Sequence, residues 1–159
     1  MKIKKHITAL ATAAALSATL PAVAQQSQHM TPETMLSLAR VGASALSPDG
    51  KTVVYSVGFP NIKDNKIRTE LFTISSDGSA RRQITQGVAG VHGARWIQQG
   101  RRISYISSES GAPQVWTMAP DGTDRRQVTN IEGGLSDYLF SPDEKQLAYI
   151  KEISFGKST

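Results

Sequence analysis

The sequence predicts an all-β fold, a partial β-propeller of about two and a third four-stranded blades behind a short helix and a signal peptide. Two repeats predict it. "ELFTISSDGSARRQIT" (residues 70–85) recurs 44 residues later as "QVWTMAPDGTDRRQVT" (114–129). "ALSPDGKTVVYSV" (45–57) is echoed by "FSPDEKQLAYI" (140–150), and partly by "GRRISYI" (100–106). A third observation is the period-two alternation inside each copy. Val53, Tyr55 and Val57 share one face, and Thr52, Val54 and Ser56 the other. The later copies are Ile103 with Tyr105, and Leu147 with Tyr149. β-branched and aromatic residues at that spacing mark half-buried strands.

From the N-terminus, Lys2, Lys4 and Lys5 precede an Ala/Leu-rich run over residues 7–20, too short to span a bilayer. Pro21 ends the run, and Ala22-Val23-Ala24 has the small-x-small pattern of a cleavage site. Residues 1–24 are therefore expected to be a secretory signal peptide, cut after Ala24 and leaving no membrane anchor. The mature chain is then expected in a periplasm or outside the cell. Removing the three lysines leaves 15 basic against 13 acidic residues, a net +2. That weakens any argument for nucleic-acid binding. The absence of cysteine excludes a disulfide scaffold, a thiolate metal site and a cysteine nucleophile.

Residues 25–44 are expected to hold a linker and a helix over about 32–39. Thr31 is a suitable N-cap, Pro32 suits the first helical position, and Glu33 favours the positive end of the helix dipole. Met35, Leu36 and Leu38 would dock it on the first blade. Residues 45–159 form the expected propeller, each blade opening at the Ser-Pro-Asp phrase or its echo.

In each blade, strands at 71–74 and 115–118 lead into the Asp77-Gly78 and Asp121-Gly122 turns. Last strands run through 83–85 and 127–129. Pro48, Pro120 and Pro142 each precede an aspartate, and proline followed by Asp and Gly is tight-turn chemistry. Glu144 replaces Gly50 in the third copy, which suggests a turn there without positive φ. The first unit has six extra residues, assigned to a polar connection in "GFPNIKDNKIRTE" (58–70). The third blade opens but does not finish, so the chain is expected to be the N-terminal piece of a longer protein. Open blade faces would leave it poorly folded or self-associating.

Candidate chemistry is sparse. No serine lies in G-x-S-x-G, the elbow that exposes a hydrolase nucleophile. His6 leaves with the signal, His29 lies in the linker, and His92 sits on an inter-blade connection without an evident partner. Gly87, Gly90 and Gly93 match no phosphate loop and suggest a flexible linker. One carboxylate per Asp-Gly turn is too few for calcium. The pairs Arg81-Arg82, Arg101-Arg102 and Arg125-Arg126, with Asp77, Asp121 and Asp124 nearby, suit solvated outer edges rather than nucleic acid. Trp96, Trp116, Phe72 and Phe140 fall on strands and suit blade packing. No catalytic residue, cofactor site or metal site is assigned.

"MTPETMLSLARVGASALSPDGKTVVYSV" followed by "RTELFTISSDGSARRQIT" resembles the start of secreted bacterial serine peptidases of the prolyl oligopeptidase family, within it the dipeptidyl-peptidase 5 group. "NIEGGLSDYLFSPDEKQLAYIKEI" (130–153) is similar too. The Ser-Pro-Asp-Gly phrase alone is shared with TolB-like periplasmic propellers, which implies the alternative of a binding module without catalysis. The family resemblance implies a propeller that gates peptide access to a Ser-Asp-His triad in a C-terminal α/β-hydrolase domain. It also implies release of dipeptides with alanine or a hydrophobic residue before the cut. The triad falls outside this sequence, so no catalytic residue is carried over. Peptide substrates are expected only through the full-length parent.

Overall fold

The computed structural model describes residues 30–153; the expected signal peptide, His6 and His29 lie outside the described residues. The order is α1 (Pro32–Ser37), β1 (Arg40–Leu46), β2 (Thr52–Asn61), β3 (Lys66–Ser75) and β4 (Arg82–Gln83). Then come β5 (His92–Ile97), a single helical turn (Gln98–Gly100), β6 (Arg102–Ser107), β7 (Gln114–Met118) and β8 (Arg126–Gln127). A last pair, β9 (Asp137–Phe140) and β10 (Leu147–Ile150), completes the described chain. The sheets run β1-β2-β3-β4, β5-β6-β7-β8 and β9-β10, and all neighbours are antiparallel. The structure therefore holds two four-stranded blades and the first hairpin of a third.

The repeated phrase does not open a blade. β1 precedes it, beginning at Arg40 rather than at the expected boundary of residue 45. The phrase is the turn inside the first hairpin of each blade. The innermost strands escaped the sequence pattern because they are short on alternating apolar residues and interrupted by a bulge. The register shifts between Val41 and Ser44 in β1, and between His92 and Arg95 in β5. "VGAS" and "HGAR" occupy those two bulges, and their shared Gly-Ala was the available signal.

The first and third phrases fold alike. In one, the Ser47 hydroxyl donates to Asp49 at 2.5 Å, and Asp49 accepts from the Lys51 N–H at 3.1 Å. In the other, Ser141 donates to Asp143 at 2.6 Å, and Asp143 accepts from Lys145 N–H at 3.2 Å. Contrary to expectation, Glu144 adopts the same left-handed backbone as Gly50, with φ of 56° against 73°. The turn is set by the serine and aspartate, and the Glu144 carboxylate accepts from the Gln98 N–H at 2.7 Å on the neighbouring blade. That contact offsets the backbone strain of a side chain at positive φ.

These turn bonds hold Asp49 and Asp143 below the usual carboxylate value of 3.8, chiefly through Ser47 and Ser141. Asp77 and Asp121 are lowered chiefly by Ser79 and Thr123. A carboxylate lowered in the folded state stabilises it above the unfolded value and loses that contribution as pH falls. The melting temperature of the chain is therefore expected to drop as pH falls below 3.8, and Asp49→Asn with Asp143→Asn should flatten that drop. Melts that stay level through this range would contradict the assignment.

The supposed polar connection at 58–70 is mostly strand. β2 and β3 pair without interruption from Thr52↔Ser75 to Asn61↔Lys66, and only residues 62–65 turn. The Asn61 side chain accepts from the Lys63 and Asp64 N–H groups at 3.1 and 3.3 Å and donates to Asp64 at 2.7 Å.

α1 is capped as expected, with the Thr31 hydroxyl accepting from Thr34 N–H at 3.1 Å. It ends at Ser37, two residues early, because Leu38 is already extended at φ −65° and ψ 133°. It lies against β2 yet buries none of its residues.

The core lies between blades. Val54, Leu71 and Ile84 from blade one meet Ile103, Tyr105 and Met118 from blade two. Ile106 and Val115 on the other face of blade two meet Leu135 and Tyr138 of the third hairpin. Val54 is therefore fully buried, whereas Tyr55, on the other face, is only half-buried. Tyr105, its counterpart, is fully buried because blade one covers it, and that burial raises its phenol to about 12. The aromatic expectation holds in kind: Trp96 and Trp116 pack on the first core and Phe140 on the second. Phe72 instead stacks on Tyr55, with centroids 5.7 Å apart, on the face of blade one turned away from blade two.

Candidate functional site

The connections between blades are packed, which corrects the expectation of flexible glycine linkers. Val88 and Val91 are buried, and Ala89 accepts from the Ser108 N–H at 2.8 Å and the Ser107 hydroxyl at 3.0 Å. Gly93 belongs to β5, at its bulge.

A side-chain clasp fixes where each connection starts, and it recurs in both complete blades. Glu70, fully buried, accepts from the Thr85 hydroxyl at 2.7 Å and the Gly87 N–H at 2.8 Å, and pairs with Arg68. Thr85 in turn accepts from the Leu71 N–H at 2.8 Å. Forty-four residues on, Gln114 accepts from the Thr129 hydroxyl at 2.8 Å and the Ile131 N–H at 3.0 Å, and donates to the Ile131 carbonyl at 2.8 Å. The paired Glu70/Gln114 and Thr85/Thr129 positions were visible in the aligned repeats, but nothing in one strand announces a bond across 15 residues.

The first strands of the two complete blades, β1 and β5, converge. This converging edge is the natural candidate for a functional surface, because β1 and β5 then face the propeller axis. Two aromatic anchors sew it together. The Trp96 indole N–H donates to the Ala45 carbonyl at 3.0 Å, joining β5 to β1. The Tyr138 hydroxyl donates to the Gly93 carbonyl at 3.0 Å and lies 2.8 Å from Ser104 Oγ, joining β9 to blade two.

Beside Tyr138, Arg95 pairs with Asp137 at 2.9 Å and stacks over the Tyr138 ring at 5.1 Å. The Asp137 carboxyl is lowered, first by the Tyr138 N–H and then by Arg95, while burial raises the Tyr138 phenol to about 12. Tyr138→Phe is expected to lose about 1 kcal/mol, since the Gly93 carbonyl loses its donor. Equal urea midpoints for variant and parent would show that the bond contributes nothing.

His92 is the first residue of β5, not a loop residue; it is exposed, with its ring nitrogen 2.9 Å from the Gly90 carbonyl. It borders a groove of about 340 Å³ lined by Pro113, Gly133, Gly134, Leu135, Ser136 and Glu152. Among the described residues, no group of three or more His, Asp or Glu side chains converges as a metal site.

The dibasic pairs divide. Arg82 and Arg126 lie on the outer strands, as expected. Arg81 covers the Phe72 ring at 4.8 Å and donates to Tyr55 Oη at 3.0 Å. Arg101-Arg102 is not on an outer edge. Arg102 starts β6 and holds Asp124 at 2.7 Å, and that contact lowers the Asp124 carboxyl, with Arg126 second. Three of these six arginines, Arg102, Arg125 and Arg126, are paired with acids.

What this arrangement offers is a wall of edge backbone and aromatic seams. Comparison with known proteins gives it a context. No family model matches the chain. Dipeptidyl-peptidase 5 of Porphyromonas gingivalis is 54% identical over 132 residues, 83% of this chain and 19% of that protein. Dipeptidyl-peptidase 5 of Porphyromonas endodontalis is 46% identical over 128 residues, 80% of this chain and 18% of that protein. The chain thus spans about a fifth of the length of the curated relatives it matches.

Among solved structures, the AtxE2 isopeptidase aligns with a TM-score of 0.60 at 20% identity, over 76% of this chain and 23% of its own. TolB from Agrobacterium tumefaciens aligns at 0.53 and 22% identity, over 68% of this chain and 38% of its own. The β-propeller domain of the trilobed protease from Pyrococcus furiosus aligns at 0.53 and 16% identity, over 70% and 34%. These three likenesses support the propeller fold; the identity to the two peptidases places the sequence. The chain is a β-propeller part homologous to the dipeptidyl-peptidase 5 proteins of the prolyl oligopeptidase family.

Proposed function

We propose that this chain forms the opening blades of the propeller of an exported serine dipeptidyl peptidase, where it restricts peptide access to a hydrolase domain. The observation that carries this is the 54% identity to a dipeptidyl peptidase across 132 residues. The inward-facing bulged strands support a wall-forming role, and the absence of a nucleophile elbow in the sequence leaves the chemistry to the parent's other domain. The substrates are then peptides with free N-termini, met only in the full-length protein.

The test is a chimera: the P. gingivalis relative with its matched stretch replaced by residues 30–153. It is expected to release dipeptides from short peptides and to leave folded proteins intact, while the 159-residue chain alone releases none. The same chimera with blade one deleted is expected to admit longer substrates. An inactive chimera would favour a TolB-like binding propeller, and unchanged size selection after deletion would remove the gating role. Export is checked by N-terminal sequencing of the periplasmic or secreted form, which is expected to start at Gln25.

A further inference from the structure

The two complete blades fill one equivalent place differently. In blade two, Arg102 at the start of β6 reaches the turn residue Asp124. Its guanidinium donates to the Thr117 hydroxyl at 3.1 Å, to the Asp124 carbonyl at 2.7 Å and to the Asp124 carboxylate at 2.7 Å. Arg126 donates to the other oxygen of that carboxylate at 2.8 Å. One cation and one carboxylate, in direct contact, thus fill the space beside Thr117.

Blade one keeps this frame and carries neither of the two charges. Thr73 pairs with Arg82 as Thr117 pairs with Arg126. Ala80 stands where Asp124 stands, and both have a φ of 51°. That left-handed backbone is one aspartate adopts more readily than alanine, so the turn is kept without the side chain that suits it. Thr52 opens β2 where Arg102 opens β6. Between these residues lies a cavity of about 430 Å³, with Thr52, Thr73, Ala80, Arg81, Arg82 and Asp121 of blade two in its walls.

The frame that remains has a definite chemistry. The Thr73 hydroxyl and the Ala80 carbonyl match the two acceptors that take a cation in blade two. Arg82 matches the donor that holds a carboxylate, and among the described residues it pairs with no acid. Arg81 is committed to Tyr55 and the Phe72 ring. Asp121 accepts two bonds from Thr123, yet its charge stands in the same wall and disfavours a bare anion. A cation and a carboxylate therefore have to arrive together, as close as Arg102 and Asp124 at 2.7 Å. An α-amino acid carries its ammonium and carboxylate on one carbon and meets that requirement.

We propose that this cavity of blade one binds a free α-amino acid, with the carboxylate on Arg82 and the ammonium on the Thr73 hydroxyl and the Ala80 carbonyl. Its walls come from β2, β3, β4 and the Asp121 turn, and nothing in it depends on a peptidase role.

Saturation-transfer NMR titrations with L-alanine test the site, in the 159-residue chain and in the chimera. Both are expected to bind alanine. Thr52→Arg together with Ala80→Asp gives blade one the pair found in blade two, and is expected to weaken the affinity roughly tenfold. Arg82→Gln, at an exposed position, is expected to weaken it to a similar degree. Only the difference between each protein and its variants counts, so other alanine sites in the chimera cancel. The double variant is expected to melt no lower than its parent; should it melt lower, Arg82→Gln alone decides. Alanine binding that survives the substitutions overturns the proposal, and so does the lack of binding in both proteins. Acetate or ethylamine binding as well as alanine overturns it too, because one charge would then suffice.

Discussion

Glu70→Ala is expected to lower the stability of the first blade by about 3 kcal/mol, the loss typical when a buried charged acceptor is removed from its donors. The side chain is fully buried, and three donors converge on it: the Thr85 hydroxyl, the Gly87 N–H and Arg68. Alanine leaves the Thr85 hydroxyl without an acceptor and opens a space beneath the connection. Glu70→Gln should cost far less, because Gln114 performs the same bonds in the second blade. Glutamine keeps an acceptor for Thr85 and Gly87 and gives up only the charge facing Arg68. Urea unfolding of the three proteins checks this. Equal losses for alanine and glutamine would mean that the Arg68 pair, not the clasp, is the stabilising part.

Gly122→Ala is expected to cost roughly 3 kcal/mol, whereas Gly78→Ala at the repeat-equivalent position should cost only the backbone part, roughly 1–2 kcal/mol. Both glycines have positive φ, 86° at Gly78 and 88° at Gly122. They differ in what a methyl group would meet. At Gly78 nothing lies within 4 Å, but at Gly122 the new carbon would sit 2.4 Å from the Ile84 carbonyl oxygen of blade one. The Asp121-Gly122 turn is thus pressed into the seam between blades, while its twin faces open space. If thermal melts showed the two variants equally affected, the close approach would be wrong and only the dihedral would matter.

Most of the architecture was legible because the repeats carry it. Val53, Tyr55, Ile103 and Leu147 alternate within strands. Asp77-Gly78 and Asp121-Gly122 mark turns whose bonds, Ser79 or Thr123 onto the preceding aspartate, are nearly identical. The inner strands were missed because a bulge breaks the period at Gly42 and Gly93, so their apolar residues do not alternate. Glu144 departs from the expectation because the residue at that one position does not set the turn. Its geometry is set by Ser141 and Asp143, and its strain is met by Gln98 on another blade. The candidate surface was the least legible part. Trp96 and Tyr138 act through hydrogen bonds to carbonyls 51 and 45 residues away, and such partners leave no local pattern.

Every strand in the described chain pairs only with a strand next to it in sequence. Its consequence is kinetic. No sheet waits for a distant segment, so contact order within a blade is low and pairing can be fast. At typical synthesis rates of 5–20 residues per second, one 44-residue unit would emerge in about 2–9 seconds. Each blade can form its hydrogen-bonded ladder while the next is still being made, but its apolar back stays wet until that next blade arrives. The vulnerable interval on the ribosome is therefore set by the spacing of the repeats rather than by the length of the whole protein.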